Sequence, residues 1–234
     1  MTFSVVARCA KTGQYGVGIA TYSPNVGGRC PLVVPGMGAA SLQAVANPQL
    51  NLIAATLLAR GLSAAKVVSE LLASDPYPDY RQIAVVDVYG HACAVTGKHN
   101  PVWAGHHIGE GFVCSGNVLA GEQVVAAMAR AFSADSDLAL AERLVRSVEA
   151  GRDAGGQPEG QNSSGLLVYD KHPFPIVDLR VELHDEPVGE LRRLWNWYEP
   201  MVPYYIERAF TPKVPRWWQW RQEHVPGWQP RHLP

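Results

Sequence analysis

The sequence predicts an α+β fold, a four-layer αββα sandwich in which helices cover the outer faces of two antiparallel sheets. Three observations lead to this prediction. The 234 residues are 47% apolar, which is enough for one sizeable core. Short β-type runs occur in pairs joined by turn residues, and pairs of helical patterns separate them. Hairpins that alternate with paired helices favour antiparallel sheets over a parallel βαβ repeat, and a two-layer α+β domain is the alternative.

The first half of the predicted domain contains three strands followed by two helices. Residues 2–7 and 15–21 are rich in strand formers and are joined by a Lys-Thr-Gly turn, which predicts a hairpin. The small-residue stretch 36–44 predicts a third strand. A helix is expected from about 48 to 60, where a glycine stops it, and a second helix begins after Ser63 as its N-cap.

The second half again has strands followed by two helices, and two further strands end it. Residues 81–97 predict two strands around a Tyr-Gly turn, and residues 111–117 predict a strand that ends in a turn. The remaining predicted elements are helices near 121–133 and 137–150 and strands at about 165–169 and 177–182. The repetition supports two sheets, each covered by a helix pair.

The composition changes beyond residue 185, which divides the chain into a domain 1–185 and a C-terminal part 186–234. The segment 190–198 predicts an amphipathic helix, and a proline-rich arm with most of the tryptophans follows it. Proline prevents a continuous helix there, whereas aromatic rings need a surface to cover. The arm either folds back on its own domain or clasps a second subunit of a homo-oligomer, and a carbohydrate-binding surface is less favoured.

Charge and cysteine spacing exclude several classes of protein. The net charge of −1, without a lysine or arginine cluster, argues against a nucleic-acid partner. No apolar run is long enough for a membrane span, and Arg8 comes too early for a signal peptide, so a cytoplasmic protein is expected. The four cysteines are widely spaced, and neither a metal nor any other cofactor is predicted.

The search for catalytic motifs leaves few candidates. Neither a G-x-S-x-G motif nor a phosphate-binding G-x-x-x-x-G-K-[ST] loop occurs. His106, His107 and Glu110 lie in the glycine-interrupted run HHIGEG, where a solvated loop is the expected structure. A metal-dependent hydrolase that uses these three residues is therefore a weak alternative.

Five polar residues stand out near predicted strand ends. Thr2 would become the first residue if Met1 were removed, although MTFSVVAR by itself indicates only the start of a strand. Ser115-Gly116-Asn117 predicts a turn whose backbone N–H groups could hold an oxyanion, and a plain turn is the alternative. Asn47 before a proline is an ordinary helix start, which leaves Gln43 without a structural explanation.

Several segments together resemble a widespread family of uncharacterised proteins that is assigned to the N-terminal-nucleophile (Ntn) hydrolase superfamily. The resemblance runs in consistent order over most of residues 2–195. The segments that carry it are TFSVVAR…TGQYGVGIAT, PLVVPGMGAASLQAVANP, YRQIAVVDVYG, TG…WAGHHIGEGFVCSGNVLAG and HDEPVGELRRL. The resemblance implies an αββα sandwich, in agreement with the order of the predicted elements.

The resemblance also implies a hydrolase that cleaves an amide or related C–N bond of a small-molecule substrate. Thr2 would be the nucleophile and its α-amine the base, because an α-amine titrates at about 7.7–8.0. Thr21 falls near the supporting carboxylate of proteasome-type enzymes, and Ser115 and Asn117 fall in the turn that steadies the amine and the oxyanion. The implied substrate-binding residues are Gln43, Asn47, Gly116 and Ser163.

The sequence departs from the family pattern at several positions. Proteasome-type enzymes place a lysine near the nucleophile, whereas this region offers only Arg29. In the loop GGQPEGQNS, Gln157, Glu159 and Asn162 stand where Asp, Arg and Gln are usual, and Asn100 stands where a cysteine is often found. A catalytically inactive binding or assembly protein on the same scaffold is therefore the second hypothesis.

Overall fold

The computed structural model describes residues 1–229, and residues 230–234 at the end of the predicted arm lie outside the described part. The chain forms two compact units, residues 1–191 and the residues from 192 onward. The first unit contains all ten described strands and four complete helices, and a fifth helix crosses the boundary.

Within the first unit, the order of the elements is the one that the sequence predicts, with two additional strands. The strands are β1 (Thr2–Arg8), β2 (Tyr15–Thr21), β3 (Pro31–Val34), β4 (Gly38–Ala44), β5 (Arg81–Asp87), β6 (Ala92–Thr96), β7 (Trp103–Gly109), β8 (Phe112–Leu119), β9 (Ser163–Tyr169) and β10 (Pro175–Val181). The helices are α1 (Pro48–Ala59), α2 (Ala64–Ser74), α3 (Glu122–Ser133), α4 (Leu140–Asp153), α5 (Pro187–Tyr198), α6 (Val202–Phe210) and α7 (Trp217–His224). Strands β3 and β7 were not predicted.

Two antiparallel sheets organise the first unit. Six strands pair in the order β10-β9-β2-β1-β8-β7, and four pair in the order β3-β4-β5-β6. All the strand pairs are antiparallel, which confirms the predicted α+β class and the absence of a parallel βαβ repeat from the described sheets. Strand β1 therefore lies in the middle of the larger sheet, between β2 and β8.

Each sheet contacts its own pair of helices. Helices α3 and α4 contact β1, β2, β7, β8 and β9, whereas α1 and α2 contact β3 to β6. Helix α1 begins where the sequence indicated, because the Asn47 side chain accepts a hydrogen bond from the backbone N–H of Gln49 at 3.1 Å and a proline occupies the first turn. Ser63 caps α2 in the same way, through the N–H of Lys66 at 3.4 Å.

The other faces of the two sheets contact each other, through β1 against β4 and β5, β8 against β5, and β7 against β6. Successive side chains of a strand point to opposite faces. In β1, Val5 therefore lies on the helix side, against Gly18 and α4, whereas Ser4 and Val6 lie on the side of the second sheet.

Two expectations about local structure were wrong. Ser115, Gly116 and Asn117 do not form a turn, because all three lie within β8 and pair with β1 and β7. His106 and His107 do not lie in a solvated loop, because they belong to β7, the edge strand of the six-stranded sheet. In both places the sequence interpretation took glycines as turn or loop markers.

The second unit contains the short helices α6 and α7 in the part of the chain where the sequence predicted a proline-rich arm. Pro203 lies in the first turn of α6, where a missing N–H costs no helical hydrogen bond. Met201, Tyr204 and Trp220 form a small buried cluster. The guanidinium carbon of Arg221 lies 4.3 Å from the centre of the Trp197 ring, and its Nη1 donates to the Trp197 carbonyl at 2.7 Å. Among residues 1–229, no helix combines the length and the apolar character that crossing a membrane requires.

Candidate functional site

The structure brings Thr2 and Thr21 together at one end of the central strands. Thr2 is 5% exposed, and its Oγ1 lies 3.1 Å from Oγ1 of Thr21. Both hydroxyl groups also donate to the backbone carbonyl of Met1. Thr2 pairs with Asn117 of β8, so the two predicted catalytic residues are direct neighbours across the sheet.

The chain end at this site is half-buried. Burial lowers the pKa of the Met1 amino group, and the charges of Cys30 and Glu159 oppose that shift. Cys30 itself is buried, which raises the pKa of its thiol to about 11. A neutral amine is therefore favoured at this edge of the sheet more than in water.

Two glutamines from the four-stranded sheet form the centre of a buried hydrogen-bond network beside Thr2. Gln43 Nε2 donates to Gln82 Oε1 at 2.8 Å, and Asn117 Nδ2 donates to the same oxygen at 2.9 Å. Gln82 Nε2 lies at hydrogen-bond distance from three acceptors, Oγ1 of Thr96 and the carbonyls of Gly105 and Gly116. These bonds join the two sheets through their amide side chains.

Three serines complete the network. Ser4 and Ser41 donate to Gln43 Oε1 at 2.8 and 3.0 Å. The Ser115 hydroxyl lies 3.3 Å from the Ser4 hydroxyl and accepts from Gln43 Nε2 at 3.4 Å. Each of the three serines is at most 1% exposed. The predicted site residues Ser115, Asn117 and Gln43 are therefore in one cluster.

The network consists of uncharged groups. At its outer edge, Thr96 Oγ1 lies 2.9 Å from Nδ1 of His106, and burial lowers the pKa of that imidazole. The remaining members are hydroxyl groups, carboxamides and backbone carbonyls. Such groups can orient a substrate and donate to a developing oxyanion, whereas a proton acceptor must come from elsewhere.

Two predicted substrate-binding residues lie outside this network. Asn47 caps helix α1. Ser163 pairs with Thr21, and its hydroxyl bonds the backbone carbonyl of Ser23 at 2.7 Å and the N–H of Val26 at 3.1 Å. The helix cap accounts for the asparagine at position 47, and the two hydrogen bonds of the hydroxyl account for the serine at position 163. Gly116 lies between Ser115 and Asn117 and gives its carbonyl to Gln82.

The glycine-rich loop 155–162 lies beside the Thr21 end of the sheet. Asn162 donates through its backbone N–H to the Thr21 carbonyl and through its side chain to the Tyr22 carbonyl, both at 2.8 Å. Gln157 is 3% exposed, and neither polar atom of its side chain has a hydrogen-bond partner among the described residues. The same loop lines a cavity of about 400 Å³, together with Arg152 and residues 185–188.

Sequence interpretation missed Ser4, Ser41 and Gln82. The pattern that could have found the two serines is period two: Thr2 and Ser4 in β1, and Ser41 and Gln43 in β4. Gln82 is the only polar residue on its face of β5, so no such pattern points to it. Buried polar residues at every second position of otherwise apolar strands point to one face. That face is the one that meets the other sheet.

The metal alternative gains no support from this geometry. His106 and His107 are consecutive in a strand and point to opposite faces, so the two imidazoles cannot share one ion. Within residues 1–229, no three or more His, Cys, Asp or Glu side chains are grouped as metal ligands.

Comparison with known proteins gives a family and a fold. The model of a family of unknown function, DUF1028, matches residues 2–191. A crystal structure of a DUF1028 protein from Silicibacter pomeroyi is 31% identical, with a TM-score of 0.78, and the match covers 84% of this chain and 88% of that one. The fold of the first unit is thus shared with a solved protein.

The comparison with solved structures also finds more distant matches. Anbu, an ancestral beta-subunit, from Yersinia bercovieri is 13% identical over 88% of this chain and 97% of its own, with a TM-score of 0.39. Anbu from Hyphomicrobium sp. strain MC1 is 15% identical over 91% and 98%, with a TM-score of 0.40. These similarities are too weak to establish a common fold. Among curated proteins no match was found.

Proposed function

We propose that this chain, which belongs to the family of unknown function DUF1028, is an Ntn-type hydrolase that cleaves an amide or related C–N bond of a small molecule. The observation that carries the proposal is the position of Thr2. Its hydroxyl lies 3.1 Å from that of Thr21, at the start of the central strand and beside the buried network of amides and hydroxyls. The proposal requires removal of Met1, which would free the α-amine of Thr2.

The reaction would proceed through a covalent ester. The Thr2 amine accepts the hydroxyl proton as Oγ1 attacks the substrate carbonyl, and a C–O bond forms. The protonated amine then gives its proton to the leaving nitrogen as the C–N bond breaks. Water attacks the ester in a second step, which releases the acid and restores Thr2. Thr21 orients the Thr2 hydroxyl, while Asn117 and Ser115 are the candidate donors to the oxyanion.

The contacts of the first unit support the fold that this chemistry uses. One helix pair contacts the six-stranded sheet, another contacts the four-stranded sheet, and the remaining faces contact each other. We infer a four-layer αββα sandwich from these contacts. The domain boundary near residue 185 and the C-terminal arm as an oligomer contact remain part of the proposal. Three large side chains of the second unit support such a contact by their exposure: Trp197 and Trp217 at 39% and Phe210 at 62%.

The test combines intact mass with reactivity at Thr2. Purified protein is expected to lack Met1, and incubation with an amide-directed β-lactone is expected to add one equivalent at Thr2, located by peptide mass spectrometry. Thr2→Ala abolishes the adduct, and Thr2→Ser retains it. Thr12→Ala, in the exposed turn after β1, is the matched control and reacts as the wild type does. Retained Met1, or an adduct that survives Thr2→Ala, contradicts the proposal.

A second candidate function is a non-catalytic binding or assembly protein on the same scaffold. The observation that favours it is the closure of the network: Ser115 and Asn117 already bond to other protein groups, and the network contains no carboxylate or ammonium group. The β-lactone experiment separates the two functions. A folded wild-type protein with a free Thr2 amine and no adduct supports the binding protein.

A further inference from the structure

A second cavity lies at the other end of the central strand. It has a volume of about 300 Å³, and its lining includes residues 8–11, the turn residues Tyr89 and Gly90, and Arg143. Thr2 and Arg8 are the two ends of β1, so the cavity is about 20 Å from the Thr2 site at the rise per residue of a strand. Its volume suits a small ligand.

Arg8 is held at the wall of this cavity by its Nε atom. This atom donates to the Tyr15 hydroxyl at 3.0 Å, and the guanidinium carbon lies 5.8 Å from the centre of the Tyr15 ring. The Tyr15 hydroxyl is itself fixed, because it contacts the carbonyls of Asp87 and Val88 at 3.3 Å. The terminal nitrogens of Arg8 have no hydrogen-bond or ion-pair partner within residues 1–229.

Arg143 is held in the same way. Its Nε donates to the Phe132 carbonyl at 3.0 Å, and its guanidinium carbon lies 4.0 Å from the centre of the Phe132 ring. Burial lowers the pKa of this guanidinium, against the charges of Cys9 and Asp135, but arginine stays protonated at any physiological pH. Like Arg8, it has no carboxylate within ion-pair distance among the described residues.

The lining of the cavity contains more cationic than anionic side chains. Arg8, Lys11 and Arg143 line it, and Glu110 is the one carboxylate in its described lining. Lys11 is paired with Asp137. Two half-buried guanidinium groups thus face one cavity with their terminal N–H groups unpaired. Guanidinium forks match the oxygen pairs of phosphate and carboxylate groups.

We propose that this cavity is a binding site for a small oxyanion, a phosphate or carboxylate group held between Arg8 and Arg143. The excess of cationic side chains in the lining favours a dianion such as phosphate over a monoanion. The site is separate from Thr2 and does not depend on the proposed hydrolase activity.

Cys9 provides a local readout of occupancy. Cys9 lines the cavity, and the residue is 5% exposed. Burial raises its pKa, but hydrogen bonds from Thr12 and Lys11 and the charge of Arg143 outweigh that effect and leave the pKa below the ordinary value. Alkylation of Cys9 by iodoacetamide, followed by peptide mass spectrometry, therefore reports on this cavity. Cys93, which is free, half-buried and outside the lining, is the internal control.

The experiment titrates the full chain with inorganic phosphate by calorimetry at constant ionic strength, with acetate and chloride as parallel arms. Saturable phosphate binding and slower alkylation of Cys9, but not of Cys93, are expected. Tighter binding of acetate than of phosphate would make the ligand a carboxylate. Arg143→Gln and Arg8→Gln are each expected to weaken binding about tenfold or more.

Arg146→Gln is the matched control, because Arg146 lies on the same helix and pairs with Glu142 at 2.6 Å outside the cavity. It should bind phosphate as the wild type does. Since Arg143→Gln also removes a contact with Phe132, Arg8→Gln decides the result if the first variant fails to fold. Absence of saturable binding of either oxyanion, or binding that both cavity variants retain, overturns the proposal.

Discussion

The interface between the two sheets has two halves that are built from the same strands. The inward side chains of one half are polar, and those of the other half are apolar. At the Thr2 end the inward side chains of β1, β4, β5 and β8 are polar: Thr2, Ser4, Ser41, Gln43, Gln82, Ser115 and Asn117. At the Arg8 end the same strands contribute Val6, Ala39, Ala84, Val86 and Val113, with Tyr15 and Val17 from β2. Both halves are almost fully buried.

The stability of the fold accounts for the apolar half more readily than for the polar half. Apolar side chains lower the free energy of folding by leaving water and by filling space, without directional demands. A buried carboxamide must instead find partners for each polar atom, and its net contribution is small even when it does. A polar half at the centre of the fold is therefore explained better by a site than by stability.

The largest expected effect comes from Gln82→Leu. The substitution leaves Asn117 Nδ2 without its acceptor, and Gln43 Nε2 keeps only the long contact with Ser115. At about 1–3 kcal/mol for each unsatisfied buried group, the free energy of unfolding should fall by about 4 kcal/mol. Urea denaturation followed by circular dichroism measures it.

Ser41→Ala is the matched control for Gln82→Leu. It removes one donor to Gln43 Oε1, but Ser4 still donates to the same oxygen at 2.8 Å. The expected loss is about 1 kcal/mol. If the free energy of unfolding falls equally in both variants, the two glutamines do not organise the polar half. The contrast between the polar and the apolar half then fails.

The second largest effect concerns the charge at the margin of the polar half. Arg81, next to Gln82 in β5, makes two bonds to the buried Asp75, at 2.5 and 3.1 Å, and a third to the Val45 carbonyl. The Arg81 hydrogen bonds lower the pKa of Asp75. Asp75→Asn leaves the buried guanidinium without its counter-charge, although the Val45 carbonyl still accepts from it, and should lower the free energy of unfolding by about 3 kcal/mol at pH 7.

The pH dependence of that loss has a definite sign. Because the pKa of Asp75 is lower in the folded chain than its ordinary value of 3.8, the carboxylate stabilises the fold fully above that value. The contribution disappears as the pH falls through the lowered folded-state pKa. The difference between wild type and Asp75→Asn should therefore shrink below about pH 4. A difference that stays constant down to pH 2 would show that the ion pair is not its source.

Local elements were predictable from the sequence. The position of glycines inside the strands β7 and β8 was not. Turn residues gave the hairpin of β1 and β2, and Asn47 with its proline gave the start of α1, because these depend on neighbours in the chain. Gly116 instead allows close packing: a Cβ there would lie 2.4 Å from a Leu119 methyl group and 3.1 Å from Phe3 Cβ. A Cβ on Gly109 would meet the Phe112 ring at 2.1 Å.

The candidate site was predictable only in part, for a related reason. The resemblance named Thr2, Thr21, Gln43, Ser115 and Asn117, and the structure brings these residues to one end of the sheets. Gln82 belongs to the other sheet, and its bond to Asn117 exists only because the two sheets face each other in this register. Contacts of that kind depend on tertiary packing, which no local pattern contains.

Apart from the control variants, the smallest expected effect tests the apolar half. Val6→Thr keeps the shape of a side chain that is fully buried among valines and alanines and adds one hydroxyl. Without a nearby acceptor the hydroxyl should lower the free energy of unfolding by about 2 kcal/mol, because it gives up its bonds to water. Val45→Thr, the same substitution at a position that is 59% exposed, should stay within about 0.5 kcal/mol of the wild type. If Val6→Thr were as neutral as Val45→Thr, the Arg8 end would accept polar groups as readily as the Thr2 end. The concentration of polar residues around Thr2 would then need another explanation than a site.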